Sequence, residues 1–284
     1  NGCDFLMATP PCQGMSVAGK MKEDDPRNSL IIYTIEFIKK TKPSNIIIEN
    51  VPQILKFSIN IDGKSVKILD YVLQELEPLG YYVNYSVADA ADYGTPQTRK
   101  RAILLISNIK KWEFPKKMEK ITVRDVIGEL PSLESGEKSD IPLHYAKKHA
   151  ERHVLWMKHT PTGETAFNNE KYYPQKEDGA RIKGYNTTYK RIEWDKPAPT
   201  VTMCNGAVSS QNNVHPGREL DDGTYSDARV LSILEIIRLS GLPDDWNIPD
   251  WATDNLIRQV IGEGFPPKFS EKLLETMPQK KKDL

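Results

Sequence analysis

The sequence predicts an α/β fold followed by a smaller, irregular domain, and three observations support this. Over residues 1–121, short apolar runs alternate with amphipathic helical patterns, which is typical of a mostly parallel sheet covered by helices on both faces. From residue 122 to about 230, polar, aromatic, Gly and Pro residues dominate and periodicity is weak. Helical patterns then return, and we expect residues 122–257 to form the second domain and residues 258–284 to rejoin the first.

The first domain begins with a short buried strand. Phe5–Ala8 is an apolar run that Thr9, Pro10 and Pro11 end, so a rigid loop should follow its carboxyl end. Leu30 then opens a helical pattern that Pro43 stops.

Three further strands and a helix should complete this domain. Residues 46–48 are three consecutive isoleucines, which indicates a strand buried on both faces. The run 65–78 has apolar residues on one helical face, and Gly80 supplies a stop. Strands are predicted near residues 81–87 and 102–107.

Helical periodicity is visible again from residue 232 onward. Ser232 and Glu235 form a capping-box pattern before an apolar helical run. Shorter helices are predicted near residues 254–261 and 270–277.

Composition excludes several classes of protein. No apolar run reaches the roughly 20 residues that a membrane span needs, and no signal peptide is visible, so we expect a cytoplasmic protein. The three cysteines, Cys3, Cys12 and Cys204, are too few and too scattered for a disulfide framework or a four-ligand zinc site. At least one of them is free to act as a nucleophile.

The charge distribution is uneven although the formal net charge is zero. Residues 97–124 contain nine Lys or Arg and two acids, which leaves a local charge of plus seven. This segment is either a solvated lysine-rich surface or part of a nucleic-acid-binding face.

Three short motifs carry the chemistry. Cys12 follows two prolines that fix the backbone, which is a way to aim a thiol. Glu49 lies at the end of the isoleucine strand, and Arg99 and Arg101 directly precede the strand near 102–107. A packing cysteine and a surface acid are the alternatives if each motif is taken alone, but we expect these groups to converge at one edge of the sheet.

In this order and spacing, Pro-Pro-Cys-Gln, Glu-Asn-Val and Gln-x-Arg-x-Arg resemble the motifs of the cytosine-5 DNA methyltransferase family. The resemblance covers nearly the whole chain except residues 132–190, and continues through residues 25–30, 79–81, 92–96, 191–202, 229–243 and 262–267. It implies a Rossmann-like methyltransferase sheet, a small target-recognition domain, S-adenosylmethionine as methyl donor and double-stranded DNA as substrate.

The resemblance also assigns catalytic roles. Cys12 is expected to add to C6 of cytosine, and Glu49 to hold or donate a proton at the ring N3. Arg101 is expected to bind the cytosine carbonyl oxygen, while Arg99 grips a nearby phosphate or assists it.

Contacts to the cofactor and to DNA follow from the same resemblance. Pro11, Leu30 and Phe265 match positions that line the cofactor, with core packing as their alternative role. Glu263 stands where the family usually has Asn, and could meet the ammonium group of the cofactor. The expected DNA contacts, made around a flipped-out cytosine, are Gln13, Ser16, Arg99 and Thr200.

One part of the family pattern is missing. The aromatic, Gly-rich turn and the ribose-binding acid that open the cofactor site are not visible, so we expect an upstream segment or a second subunit to complete that site, and otherwise a monomer. A restriction-modification role is the leading interpretation. A tRNA methyltransferase is less favoured because Cys204 is followed by Asn205 and Gly206 rather than Phe and Thr. A non-catalytic DNA-binding partner is also considered.

Four histidines cluster at positions 144, 149, 153 and 159. A metalloprotease-type Glu and a nearby cysteine are both lacking, so no metal is expected, and a DNA-facing surface with Lys147, Lys148 and Arg152 is preferred. Trp156 is predicted to be a core residue.

Overall fold

The computed structural model describes residues 3–11 and 30–280, so Cys12, Gln13 and Ser16 lie outside the described residues. The chain divides into two compact units. The first, here called the sheet unit, comprises the described parts of residues 1–89, 100–117 and 271–284. The second unit comprises residues 90–99 and 118–270.

The sheet unit is built on four strands: β1 (Phe5–Ala8), β2 (Asn45–Asn50), β5 (Tyr82–Asp89) and β6 (Lys100–Ser107). Their order in the sheet is β1-β2-β6-β5. β1 pairs with β2 in parallel, whereas β2 with β6 and β5 with β6 are antiparallel. The described sheet is therefore mixed, and the expectation of a mostly parallel sheet is wrong for these strands. The run of isoleucines predicted burial correctly, but burial does not fix strand direction.

Two helices pack on one face of this sheet. They are α1 (Leu30–Thr41) and α2 (Ile68–Leu76). The buried apolar residues of both helices join alternate residues of β2 and β6 in one core. On the opposite face, Ile47, Ile103 and Leu105 are also fully buried. These strands are thus buried on both faces, which explains their unbroken apolar sequence.

A β-hairpin that the sequence analysis missed precedes α2. Its strands are β3 (Ser58–Ile61) and β4 (Lys64–Lys67), so the helix predicted from residue 65 begins only at Ile68. Asp62 and Gly63 form the turn, both with positive φ. Asp-Gly between apolar runs is the usual signal of a two-residue hairpin, and it was present in the sequence.

The second unit contains little regular structure apart from short helices. They are α3 (Val123–Ile127), α4 (Glu151–Lys158), α5 (Ile233–Leu239), α6 (Asp254–Glu263) and the first residues of α7 (Pro267–Glu275). Ser232 caps α5 and forms the predicted capping box with Glu235.

The unit boundaries differ from the predicted ones at residues 121 and 257. The division lies near residue 117, and residues 258–270 belong to the second unit. Ile257 and Ile261 of α6 share a core with α5, and this packing holds α6 in the second unit. Among the described residues, no helix is long and apolar enough to cross a membrane.

Candidate active site

Glu49 and Arg101 form an ion pair at the carboxyl end of β2. The Arg101 Nε lies 2.7 Å from a Glu49 carboxylate oxygen, and both side chains are largely buried. The pair forms because β2 and β6 are antiparallel neighbours with Glu49 opposite Ile103 and Asn50 opposite Ala102, which brings the end of one strand beside the start of the other. Arg101 also donates from Nη1 to the Lys100 carbonyl oxygen. A carboxylate and a guanidinium are thus fixed side by side at the sheet edge.

Asn50 ties the proline loop to the same edge. Its side-chain amide donates to the Pro10 carbonyl oxygen at 2.8 Å, and its side-chain oxygen accepts from the Val51 backbone N–H. The Asn of the Glu-Asn-Val motif is therefore a positioning residue that sequence reasoning passed over. Pro10, which accepts this hydrogen bond, lies two residues before Cys12 in the sequence; Cys12 itself lies outside the described residues.

Pro11 and Leu30, two of the predicted cofactor-binding residues, line one cavity of about 340 Å³. The other lining residues come from β1, Pro10 and the outer face of α1: Leu6, Ala8, Pro10, Tyr33, Thr34 and Phe37. Its lining is mostly apolar and its volume is in the range of small-molecule sites. The cavity can therefore accept an apolar part of a ligand next to the loop that carries Cys12.

The Gln-x-Arg-x-Arg motif is divided between the two units. Gln97 and Arg99 lie in the second unit, whereas Arg101 lies in the sheet unit. Arg99 is 5% exposed and donates to the carbonyl oxygens of Val201 at 3.1 Å and Gly262 at 3.1 Å. These contacts hold distant segments of the second unit together, while the predicted phosphate contact of Arg99 stays a prediction.

Three further predicted contacts lie in the second unit. The Thr200 hydroxyl donates to the Thr98 carbonyl oxygen at 2.7 Å. Glu263 is exposed at the end of α6, where its carboxylate accepts from Gln259. Phe265 packs on Phe269 with ring centroids 5.0 Å apart. Their roles toward DNA and cofactor remain predictions.

The backbone at Gly262 lies very close to the backbone at Thr202. A Cβ at this position would overlap the carbonyl group of Thr202, so any side chain would push the two segments apart. Glycine is needed here for close backbone approach.

A cluster of buried charged residues supports the second unit and was not found from the sequence. Arg229 donates to Asp227 at 2.8 Å and to both carboxylate oxygens of Glu235, at 2.8 and 2.9 Å. Arg191 is fully buried beside them and donates to the main-chain oxygens of Met157, His215 and Ser226. Isolated charges in a sequence carry no signal that they will meet in a core.

This cluster should make the protein sensitive to acid. Burial, reinforced by the positive charge of Arg229, lowers the pKa of His215 to about 3. Burial by itself raises the pKa of Glu235, but the attraction of Arg229 prevails and lowers it to about 2. The unfolded chain therefore binds more protons than the folded one between about pH 3 and pH 6.5 at the histidine, and below about pH 4.5 at the carboxylate.

The free energy of unfolding should accordingly be highest above about pH 6.5 and fall on acidification. A single histidine contributes at most about 1.4 kcal/mol per pH unit to this fall. Urea unfolding measured from pH 7 to pH 4 checks this. His215→Asn, which keeps an acceptor for the Gly217 N–H, should flatten the slope. The same slope in that variant would contradict the assignment to His215.

The histidine cluster does not form the expected DNA-facing surface as a whole. His144 is 1% exposed and bonds Ser232 and the Pro131 carbonyl. His149 accepts from the Val230 backbone N–H, and burial lowers its pKa to about 4. His153 packs against Trp156, which is buried as predicted. These histidines pack inside the second unit and do not share one exposed surface, because α4 contributes buried residues such as Trp156 and Met157 to its core.

Comparison with known proteins agrees with the motifs. The family described as C-5 cytosine-specific DNA methylase matches residues 1–279. The chain is 53% identical to Type II methyltransferase M1.HgaI of Avibacterium volantium, over 96% of this chain and 78% of that protein. It is 31% identical to Type II methyltransferase M1.HphI of Haemophilus parahaemolyticus, over 96% and 68% of the two chains.

Solved structures agree with the fold. The Entamoeba histolytica methyltransferase EhMeth matches with a TM-score of 0.61 at 15% identity, covering 98% of this chain and 78% of that one. A Spodoptera frugiperda DNMT2 variant matches with a TM-score of 0.55 at 17% identity, covering 96% and 79%. The mixed α/β fold is thus shared with these solved methyltransferase structures. Because the family match spans nearly the whole chain and includes the Glu49–Arg101 edge, the chain belongs to the C-5 cytosine-specific DNA methylases and is a DNA cytosine-5 methyltransferase.

Proposed function

We propose that the enzyme methylates C5 of a cytosine that is flipped out of duplex DNA, through a covalent bond between Cys12 and C6. The observation that carries this proposal is the Glu49–Arg101 pair, held beside the proline loop that leads to Cys12. A base inside a duplex offers C6 to no thiol, so flipping must precede the reaction, at a cost of a few kcal/mol.

Each group has a distinct part in the reaction. The Cys12 thiolate forms a bond to C6, the electron pair of the C5–C6 double bond shifts to C4–C5, and the C4–N3 pair shifts to N3, which is protonated. The resulting enamine makes C5 nucleophilic. Arg101 stabilises the charge that develops on the carbonyl oxygen, and Glu49 holds the proton at N3. The methyl donor would leave as its neutral thioether. Transfer of the C5 proton to a base then restores the C5–C6 double bond and expels the Cys12 thiolate.

The ion pair explains how both groups are ready for the substrate. Before a base is bound, Arg101 pairs with Glu49, with 2.7 Å between the Arg101 Nε and a Glu49 carboxylate oxygen. We infer that a bound cytosine exchanges this contact: Arg101 turns toward the carbonyl oxygen, and Glu49 becomes able to share a proton with the ring. Glu49 and Arg101 are largely buried, which makes both contacts stronger than they would be in water.

S-adenosylmethionine would supply the methyl group as an electrophile. The apolar cavity beside the proline loop fits an apolar part of such a cofactor, and Pro11 and Leu30 would hold it there. We propose Phe265 and Glu263 as further contacts on the strength of the sequence resemblance.

The biological role that we propose is modification in a restriction-modification system. The relatives M1.HgaI and M1.HphI are both named Type II methyltransferases. We propose DNA contacts for Gln13, Ser16, Arg99 and Thr200 on the strength of the sequence resemblance.

Trapping the covalent intermediate tests the mechanism. The protein is incubated with S-adenosylmethionine and duplex DNA containing 5-fluorocytosine, in which fluorine replaces the C5 proton that must leave, so the adduct cannot resolve. We expect a denaturation-resistant adduct with the unaltered protein and none with Cys12→Ser. An adduct in Cys12→Ser, no adduct in the unaltered protein, or methylation of tRNA but not of duplex DNA would overturn the proposal.

A further inference from the structure

The β3–β4 hairpin has one apolar face and one polar face. Ile59 lies opposite Val66 across the hairpin; Ile59 is buried, and Val66 packs against the same core. Residues directly opposite each other in an antiparallel pair share a face, so this face points into the sheet unit. The pairs Ser58 with Lys67 and Asn60 with Ser65 therefore lie on the other face.

The outward face carries polar and basic side chains but no acid. It presents Ser58, Asn60, Ser65 and Lys67, and the only carboxylate of the hairpin, Asp62, lies in the turn. Side chains of Lys, Ser and Asn are the groups with which proteins bind phosphate oxygens of nucleic acids.

Three lysines in and next to the hairpin are available for such contacts. Lys67 lies on the outward face, Lys64 follows the turn opposite Ile61, and Lys56 lies two residues before β3. All three are exposed, and within the described ranges none of them has an ion-pair partner. Lys39 and Lys111 of the sheet unit, by contrast, are paired with acids: Lys39 with Glu36 and Glu75, and Lys111 with Glu113. Three exposed lysines without a described ion pair therefore lie close together along the chain, in the hairpin and just before it.

The hairpin follows the candidate active site closely along the chain. A single 3-10 turn, Pro52–Leu55, leads from the end of β2, where Glu49 and Arg101 meet, to the hairpin. The base of the hairpin is closed by a hydrogen bond from the Ile68 N–H to the Phe57 carbonyl oxygen, at 3.0 Å. Phe57 and Leu55 pack against the core, so the hairpin stands on a fixed base.

We infer that the β3–β4 hairpin binds the phosphodiester backbone of the duplex that bears the target cytosine, through Lys56, Lys64 and Lys67. This inference rests on the proposed function, because it takes the Glu49–Arg101 edge as the place where the base is held. The hairpin contacts are independent of base sequence, so they increase affinity for any duplex and leave sequence recognition to the second unit.

The salt dependence of DNA binding tests this inference. The logarithm of the binding constant falls linearly with the logarithm of the salt concentration, and each phosphate contact adds about 0.9 to the magnitude of this slope. Replacing all three lysines by glutamine, as Lys56→Gln, Lys64→Gln and Lys67→Gln in one chain, should reduce the magnitude of the slope by about 2 to 3. The measurement is fluorescence anisotropy of a mixed-sequence duplex over a range of KCl concentrations, for which no recognition sequence need be known.

A matched control separates local contacts from net charge. Lys40, Lys42 and Lys110 are also exposed, and Lys42 and Lys110 lie close to the opposite end of β2 and β6, where Asn45 pairs with Ser107. Replacing these three lysines by glutamine removes the same charge and should change the slope by less than 1. Thermal unfolding of both triple variants checks that neither is misfolded. Ser65→Asp, which adds one negative charge to the outward face, should weaken binding without unfolding the hairpin.

The outcomes distinguish the inference from the proposed function. An unchanged slope in the hairpin variant, or an equal change in the control variant, overturns the inference even where the unaltered protein still forms the 5-fluorocytosine adduct. A lowered slope in the hairpin variant alone supports it. Failure of the unaltered protein to form the adduct counts against the proposed function, whatever the slopes are.

Discussion

Replacing Glu49 by glutamine should lower kcat for methyl transfer by about 10²- to 10⁴-fold, the usual contribution of a positioned acid-base group. Glutamine keeps the size of the side chain, but it cannot share a proton with the ring N3 and it loses the ion pair with Arg101. Binding to DNA should change little, because the affected step follows binding. Single-turnover methyl transfer, with enzyme in excess over duplex DNA, measures the rate of this step directly.

The matching control is Glu36→Gln on α1. Glu36 also pairs with a cation, Lys39 at 3.0 Å, but the pair is exposed and on the surface of a helix. Its replacement should leave the single-turnover rate unchanged. A Glu49→Gln enzyme within a few-fold of the unaltered rate would show that this carboxyl group takes no part in the chemistry.

The sequence predicted those parts of the sheet unit that depend on local pattern. The apolar run Phe5–Ala8 is a strand, the helical pattern before Pro43 is α1, and the end of β2 carries Glu49. Motif order also indicated that Glu49 and Arg101 belong to one edge, and they are in contact there. Each of these inferences needed only periodicity, strand ends and the neighbours along the chain.

What the sequence did not reveal depends on contacts between distant residues. Arg99 and Arg101 are two residues apart and alike in a motif, but one bonds carbonyl groups near residues 201 and 262 while the other reaches Glu49. Nothing local distinguishes them. The antiparallel direction of β6 and the buried position of Glu235 likewise follow from tertiary packing.

Replacing Arg229 by methionine should destabilise the second unit by about 3–5 kcal/mol, the usual cost of leaving a buried charge without its partner. Arg229 is fully buried and bonds both Asp227 and Glu235, which are themselves buried. Methionine fills a similar volume but neutralises neither carboxylate. Glu235 would keep its contact to the Ser232 N–H, at 2.6 Å, and Asp227 its contacts to the hydroxyl groups of Ser132 and Ser226. Urea unfolding at pH 7, followed by tryptophan fluorescence, measures the loss.

The same substitution at an exposed pair shows whether burial is the cause. Arg124 bonds Asp195 at 2.6 Å, a shorter distance than any that Arg229 makes, yet the pair is open to solvent. Arg124→Met should leave stability nearly unchanged, because water compensates an exposed charge that loses its partner. Adding Glu235→Gln to Arg229→Met should restore part of the lost stability, since it removes one of the two stranded charges. Equal losses at the two arginines, or a further loss in the double variant, would mean that packing volume rather than buried charge determines the stability of this cluster.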